Sequence, residues 1–296
     1  MKRPGPLRLF RESLKTNEYR ADELINIYIL RPLAAIIVWL LYPTRVTPNQ
    51  VTVAAIVTGC CAAGVYLVDT PQAFVAAGLL VTLKDILDDA DGQLARAKSL
   101  YSRRGRFLDS IGDVFVNAGL FSAITAVLVR SHSPLPTILL GTLSFLGITL
   151  RVSYHVFYQV SFLHLEDKYK LNRIIEELTA EDQGGDQVAL RLQVIFNILY
   201  TWQDKLMYTI DEWCKRGTFS ESERRAWYGD NAGLRLSGLL GFGTEFAILT
   251  VCSIFNQLYL YLWLNVFFMN GIMLFSLLYR RLMLRRRVRN AIAMIS

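Results

Sequence analysis

Between positions 88 and 113 four aspartates fall into the pattern Asp88-x2-Asp91-Gly92-x2-Ala95-Arg96-x8-Gly105-x3-Asp109-x3-Asp113. Spacings of three and four place Asp88 with Asp91, and Asp109 with Asp113, on one face of a helix, one turn apart. The stretch from Ala97 to Arg104, with Gly105 opening the next helix, is short enough to fold the second helix back along the first, so the two acidic faces meet. Carboxylates so close repel and cannot all stay ionised unassisted. One or two divalent cations resolve the conflict, and an all-oxygen donor set favours Mg²⁺ or Mn²⁺ over zinc. Gly92 permits close approach of a helix or a flat ring, Ala95 keeps the same strip slim one turn on, and Arg96 offers a planar guanidinium suited to phosphate. The chemistry implied is that of a metal-bound phosphate ester.

The elements that carry these residues are strongly apolar. Of 296 residues, 53% are hydrophobic, and the mean hydropathy of +0.31 is too high for an ordinary soluble chain. Runs long enough to cross a bilayer, roughly 17–25 residues, occupy about 47–69, 72–97, 107–129, 134–163, 235–256 and 258–280. An ionised side chain in such a run is costly and is usually functional. The apolar run within 24–42 begins only after Arg31 and Pro32 and is short for a span, so it is expected to form an amphipathic helix lying on the inner leaflet.

The formal net charge of +7 is concentrated in three places: the N-terminus (Lys2, Arg3, Arg8, Arg11, Lys15, Arg20), the loop near 98–106 (Lys98, Arg103, Arg104, Arg106) and the C-terminus (Arg280 to Arg289). Beside apolar spans the positive-inside rule accounts for these clusters better than nucleic-acid binding. Six spans put both termini and the aspartates on the cytoplasmic side, Arg130 being the basic exception outside. The four cysteines show neither metal nor redox spacing, and no cleavable signal pattern is expected at the N-terminus.

The chain therefore divides into an N-terminal segment with its interfacial helix (1–46), four spans with the acidic motif (47–163), a polar insert (164–233), and two further spans with a basic tail (234–296). The fold class is an all-α integral membrane protein. In the insert, after a Gly184-Gly185 break, Ile195, Leu199, Trp202, Leu206, Ile210 and Trp213 recur near helical spacing. That stripe predicts a helix resting on the membrane or packed on the bundle, with a substrate lid or dimer contact as the other readings.

The aspartate spacing is the signature of the CDP-alcohol phosphotransferase family, which the chain resembles closely. The resemblance extends to the Thr47-Pro48-Asn49-Gln50-Val51-Thr52 opening of the first span, the preceding surface helix and the six-span core. The insert is not part of that core pattern. The resemblance implies transfer of a phosphate-linked group from a CDP-linked donor to an alcohol, with CMP leaving, in a homodimeric enzyme of phospholipid biosynthesis. It further implies two metal ions on Asp88, Asp91, Asp109 and Asp113, with Asp113 also deprotonating the acceptor. Gly92 and Ala95 would leave room for cytidine and Arg96 would contact phosphate, with Gly105 on the same donor side. CDP-diacylglycerol is the expected donor. The alternative is a CDP-linked small headgroup of choline, ethanolamine or inositol type, passed to a lipid or polyol.

The acceptor side is less specific. Family members with phosphorylated acceptors carry basic residues late in the fourth span. Here that stretch offers Arg151, His155 and Tyr158, which are acceptor-site candidates against a competing role in helix pairing and packing. A membrane prenyltransferase needs two acidic motifs far apart, and a cation carrier or scaffold needs no Gly92-Ala95-Arg96 strip. Neither fits the single acidic block as well.

Overall fold

In the computed structural model, which describes residues 20–100, 102–166 and 187–288, the fold is helical throughout those segments. The Gly184-Gly185 break and most of both terminal basic clusters lie outside the described residues. Ten helices follow in order: α1 Asn26–Leu41, α2 Pro48–Tyr66, α3 Pro71–Lys98, α4 Arg103–Leu128, α5 Pro134–Leu165, α6 Gln187–Lys215, α7 Glu221–Tyr228, α8 Asn231–Gly238, α9 Phe242–Ile254 and α10 Leu258–Val288.

Local chemistry sets the ends of the helices that matter for the site. Pro48 opens α2 at the first helical position, and the Gln50 side chain accepts the Thr47 amide at 2.9 Å. This reciprocal cap satisfies amide donors that would otherwise be orphaned. Helix α3 starts at Pro71 behind a Thr70 cap and stops at Ser99, which takes a left-handed φ of 55°. The Ser102 hydroxyl then accepts the Gly105 amide at 3.1 Å and begins α4. Four residues thus reverse the chain. Lys98, in the last turn of α3, donates to the carbonyls of Thr44 and Val46 and pins that turn to the entry of α2.

Helices α2, α4, α5 and α10 are long and apolar enough to cross a bilayer, and α8 with α9, bent by 41° at a short break, makes a fifth such unit. Helix α3 is long enough, at 28 residues, but its C-terminal half is charged with Lys84, Asp85, Asp88, Asp89 and Asp91. It is nevertheless central, packing against α2, α9 and α1. Close contact between α4 and α2 is possible because Gly112 of α4 lets Ile56 of α2 lie where a side chain would otherwise stand. The apolar core runs through Tyr66, Val81, Leu120, Ile124, Phe246 and Tyr261.

Helix α1, with 16 residues, reaches only about 24 Å at 1.5 Å per residue, short of a hydrocarbon core of about 30 Å. Its Ala34 and Val38 pack on Ala90 and Leu94 of α3, while Tyr28, Ile36, Trp39 and Leu40 face outward. Arg31 is ion-paired with Asp22, and its carbonyl accepts Gln93 of α3.

A buried polar network crosses the bundle. Arg151 of α5 pairs with Glu245 of α9 at 2.8 Å, both under 2% exposed. Arg151 also donates to the Asn265 carbonyl and to the Asn270 side chain of α10, while Glu245 accepts from Tyr261 and Asn265. Arg151, a candidate above for either the acceptor site or helix pairing, thus joins three helices through its two terminal nitrogens. Removing one member leaves the other charge buried and alone, at a cost of about 3–5 kcal/mol. Arg151→Met and Glu245→Leu are each expected to destabilise by that amount, and the double variant by clearly less than the sum. Unfolding in mixed micelles measures this; additive costs would show that the pair does not join the helices.

Candidate active site

The turn between α3 and α4 brings carboxylate oxygens of Asp88, Asp91 and Asp109 within 4.8 Å of one another, each residue partly buried. Oxygens arranged about one hexacoordinate Mg²⁺ at 2.0–2.1 Å would lie roughly 3–4 Å apart, so a small adjustment of side-chain torsions closes the set around a single ion. The donors are all hard oxygens, which fits Mg²⁺ or Mn²⁺. Asp91 is further oriented from α2, where the Thr52 hydroxyl donates to its Oδ2 at 2.5 Å. Thr52 stands one turn after Pro48, so the capped start of α2 fixes one wall of the site.

Asp113 lies one turn deeper than Asp109 and is engaged differently. Its Oδ1 accepts a hydrogen bond from the Lys84 ammonium at 2.5 Å. Lys84 reaches Asp88 as well, at 3.3 Å, and stands 3.7 Å from Asp85. Lys84 was not singled out by the sequence reading. Its signal there was a lysine one helical turn before Asp88 in a segment expected to lie in a membrane, where a lone charge is unfavourable.

Against the triad opens a cavity of about 460 Å³, within the range typical of small-molecule sites. Asp91 and Asp109 line it together with Gly92, Ala95, Arg96 and Gly105, so the four residues expected on the donor side share one space. Pro48, Asn49 and Thr52 of α2 supply the opposite wall, and Arg103 and Arg106 of α4 add positive charge. Gly105 is required by the approach of Asn49, whose Oδ1 would lie 2.5 Å from a Cβ at that position. At Gly92 an added Cβ would meet only the Arg96 guanidinium, at 3.6 Å. The glycine therefore keeps space open for a guest rather than for a neighbouring helix.

Of the acceptor candidates, none lines this cavity. Arg151 is held in the network above. Tyr158 donates to Asp211 of α6 at 2.8 Å and lies under the Arg280 guanidinium, 3.4 Å from the ring centroid. His155 is buried in α5, 3% exposed.

Helix α6 packs on the site-bearing end of α4. The Tyr200 hydroxyl donates to the Ser110 carbonyl at 2.7 Å, and Phe196 packs on Phe107 with centroids 5.3 Å apart. Its inward face is Gln193, Gln203, Met207, Asp211 and Cys214. Of the apolar stripe read from the sequence, Ile195, Trp202, Leu206 and Trp213 are exposed, while Leu199 and Ile210 are half-buried, Ile210 against the cluster of Tyr158, Met207 and Trp227. Asp211 serves as a hub, accepting also from Trp227 and Tyr228 and pairing with Lys215.

The family model for CDP-alcohol phosphatidyltransferases matches residues 45–210, more than half of the chain. The match includes α2 through α5 and most of α6, so it runs past the boundary drawn at 163 and into the segment expected to be an insert. Over 82 residues the chain is 44% identical to the bifunctional IPC transferase and DIPP synthase of Thermococcus kodakarensis, covering 28% of this chain and 18% of that protein. A protein of the same description from Archaeoglobus fulgidus is 40% identical over 84 residues, 28% of this chain and 16% of its own length. The aligned stretches thus span under a fifth of the curated relatives. With the acidic cluster and the cavity beside it, the family match settles the classification: the chain belongs to the CDP-alcohol phosphatidyltransferase family.

Proposed function

We propose that this enzyme takes a phosphatidyl group from CDP-diacylglycerol and passes it to a small alcohol, releasing CMP at the inner face of a six-span bundle. The observation that carries the reading is the cavity lined by Gly92, Ala95, Arg96 and Gly105 together with Asp91 and Asp109. A slim wall accepts a flat base, the guanidiniums of Arg96, Arg103 and Arg106 suit a diphosphate, and the carboxylates stand where the diphosphate would end. The site lies toward the end of helices built for a bilayer, so a donor anchored by acyl chains would present its diphosphate at headgroup depth.

In this reading α3 is the sixth span, its charged half forming the site. Asp88, Asp91 and Asp109 hold Mg²⁺ or Mn²⁺. When bound, the ion neutralises the donor diphosphate and the charge that develops on departing CMP. Asp113 takes the proton of the acceptor hydroxyl as its oxygen attacks the lipid-linked phosphorus and the bond from that phosphorus to CMP breaks. Both termini lie on the cytoplasmic side, consistent with the terminal basic clusters. Arg130, the outer exception, is offset by Asp69 at 3.1 Å. Homodimerisation is proposed on the family resemblance.

CMP release in lipid nanodiscs with Mg²⁺ tests the donor. CDP-diacylglycerol with a panel of polyols and phosphorylated polyols is expected to turn over; release only from CDP-choline-type donors with diacylglycerol would move the lipid to the acceptor side. Asp113→Asn is expected to lower turnover by about 10²–10⁴-fold with donor affinity retained, and unchanged turnover would remove the base assignment. Gly92→Leu should fold normally, since nothing but Arg96 meets its Cβ, yet raise the donor KM at least about tenfold by filling the cavity. An unaltered donor KM would place the nucleotide elsewhere.

A further inference from the structure

Three chain reversals meet at the end of the bundle remote from the acidic cluster. They are marked by Asp69 between α2 and α3, Ser131 and His132 between α4 and α5, and Asn256 and Gln257 between α9 and α10. Asp69 and Asn256 close their turns at left-handed φ values of 58° and 57°, which short acidic and amide side chains tolerate. These five side chains and the rings of Tyr259 and Trp263 line a cavity of about 540 Å³. From Pro71 to Asp88 helix α3 rises about 26 Å at 1.5 Å per residue, close to the depth of a hydrocarbon core. The cavity therefore opens at headgroup depth on the far side of the membrane from the cluster. Asp69 brings a cation with it: the Arg130 guanidinium is 3.1 Å from its carboxylate, and both side chains reach solvent. His132 stacks on Tyr259 with centroids 4.1 Å apart, and tyrosine and tryptophan are the usual anchors at a membrane interface.

A second cavity, of about 570 Å³, shares Gln257 and Leu260 with the first and runs along α9 and α10. Its walls are Ala247, Ile248 and Val251 of α9 with Leu260 and Leu264 of α10, and it reaches Ile25 and Thr244. The Thr244 hydroxyl is turned to the Glu23 carboxylate at 3.2 Å, which leaves the groove an apolar surface. Thr244 to Phe255 spans about 16 Å at 1.5 Å per residue, half of a hydrocarbon core of about 30 Å. A polar chamber at one membrane surface thus adjoins an apolar groove one leaflet deep.

We propose that the two cavities together bind one phospholipid of the leaflet opposite the acidic cluster, its head in the chamber and one acyl chain in the groove. The Arg130–Asp69 pair sets the class of head. A zwitterionic head carries a phosphate for the guanidinium and an ammonium for the carboxylate, whereas an anionic head leaves the carboxylate without a match. Ser131, Asn256 and Gln257 add neutral hydrogen-bonding groups around it. The lipid joins three loops and the α9–α10 pair without touching the reacting atoms, so it acts on stability rather than on turnover.

Native mass spectrometry of the full chain released from micelles counts the lipid retained after incubation with phosphatidylethanolamine or phosphatidylglycerol, with Tm read in parallel. Wild type is expected to keep one phosphatidylethanolamine per chain, at least about tenfold in preference to phosphatidylglycerol, and to show a higher Tm with it. Asp69→Asn keeps a side chain suited to the left-handed turn and should bring the two lipids to near parity. Ala247→Trp, by filling the groove, should lose both the retained lipid and the gain in Tm, while CMP release and donor KM stay at wild-type values. Wild type without retained lipid, equal retention of both lipids, or retention by Ala247→Trp overturns the proposal. So does a raised donor KM in Ala247→Trp, which would give the groove to the CDP-linked donor, or the loss of a dimer in that variant, which would give it to a second copy of the chain. The lipid count needs no turnover, so it stays readable if the donor assignment fails. If Ala247→Trp does not fold, Val251→Trp, at a position already exposed, carries the same expectations.

Discussion

Carboxylates crowded to within 4.8 Å in an apolar bundle repel one another, and the rest of the architecture is organised around containing that repulsion. The carboxylates are partly buried, which weakens solvent screening, and cations held in place offset the repulsion. One is built into the chain as Lys84; in the proposed function a divalent ion is the other. Thr52 adds a hydrogen bond to Asp91, and Arg96, Arg103 and Arg106 ring the adjoining cavity. Under the proposed function this arrangement receives a metal-bound diphosphate.

Such a cluster holds its geometry only if the helices beneath it do not move. The four-residue reversal from α3 to α4 sets the register of the two acidic faces. Lys98 fastens the same turn to the approach of α2, and Gly112 lets α2 and α4 come close. Deeper in, the Arg151–Glu245 pair and its asparagine partners tie α5, α9 and α10 together. Helix α6 adds a brace from outside, through Tyr200 on the Ser110 carbonyl between the two aspartates of α4. Its Ile195, Ile198, Trp202 and Trp213 are exposed, as is Phe115 of α4.

What could be read from sequence was what depends on short separations. The i, i+3 and i, i+4 spacings, the glycine strip, the Thr47-Pro48 start and the short reversal are local, and they carry the triad and cavity wall with them. What could not be read depends on the register of distant helices. Lys84 finds Asp113 29 residues away, and Arg151 finds Glu245 94 residues away. The residues around Arg151 do not reveal that partner, so an intramembrane arginine read equally well as an acceptor site. The stripe on α6 was visible, but periodicity cannot say whether an apolar face meets protein or lipid. In a membrane setting the usual inference reverses: the polar face, with Gln193, Gln203 and Asp211, is the buried one.

The central claim is that the acidic cluster on α3 and α4 holds a divalent cation at the end of a nucleotide cavity. Anomalous diffraction from crystals grown in lipid with Mn²⁺ and CMP tests it most directly. The account predicts a manganese peak among Asp88, Asp91 and Asp109, with the cytidine along Gly92 and Ala95. A peak elsewhere, or a nucleotide bound away from that strip with no metal at the triad, would contradict it.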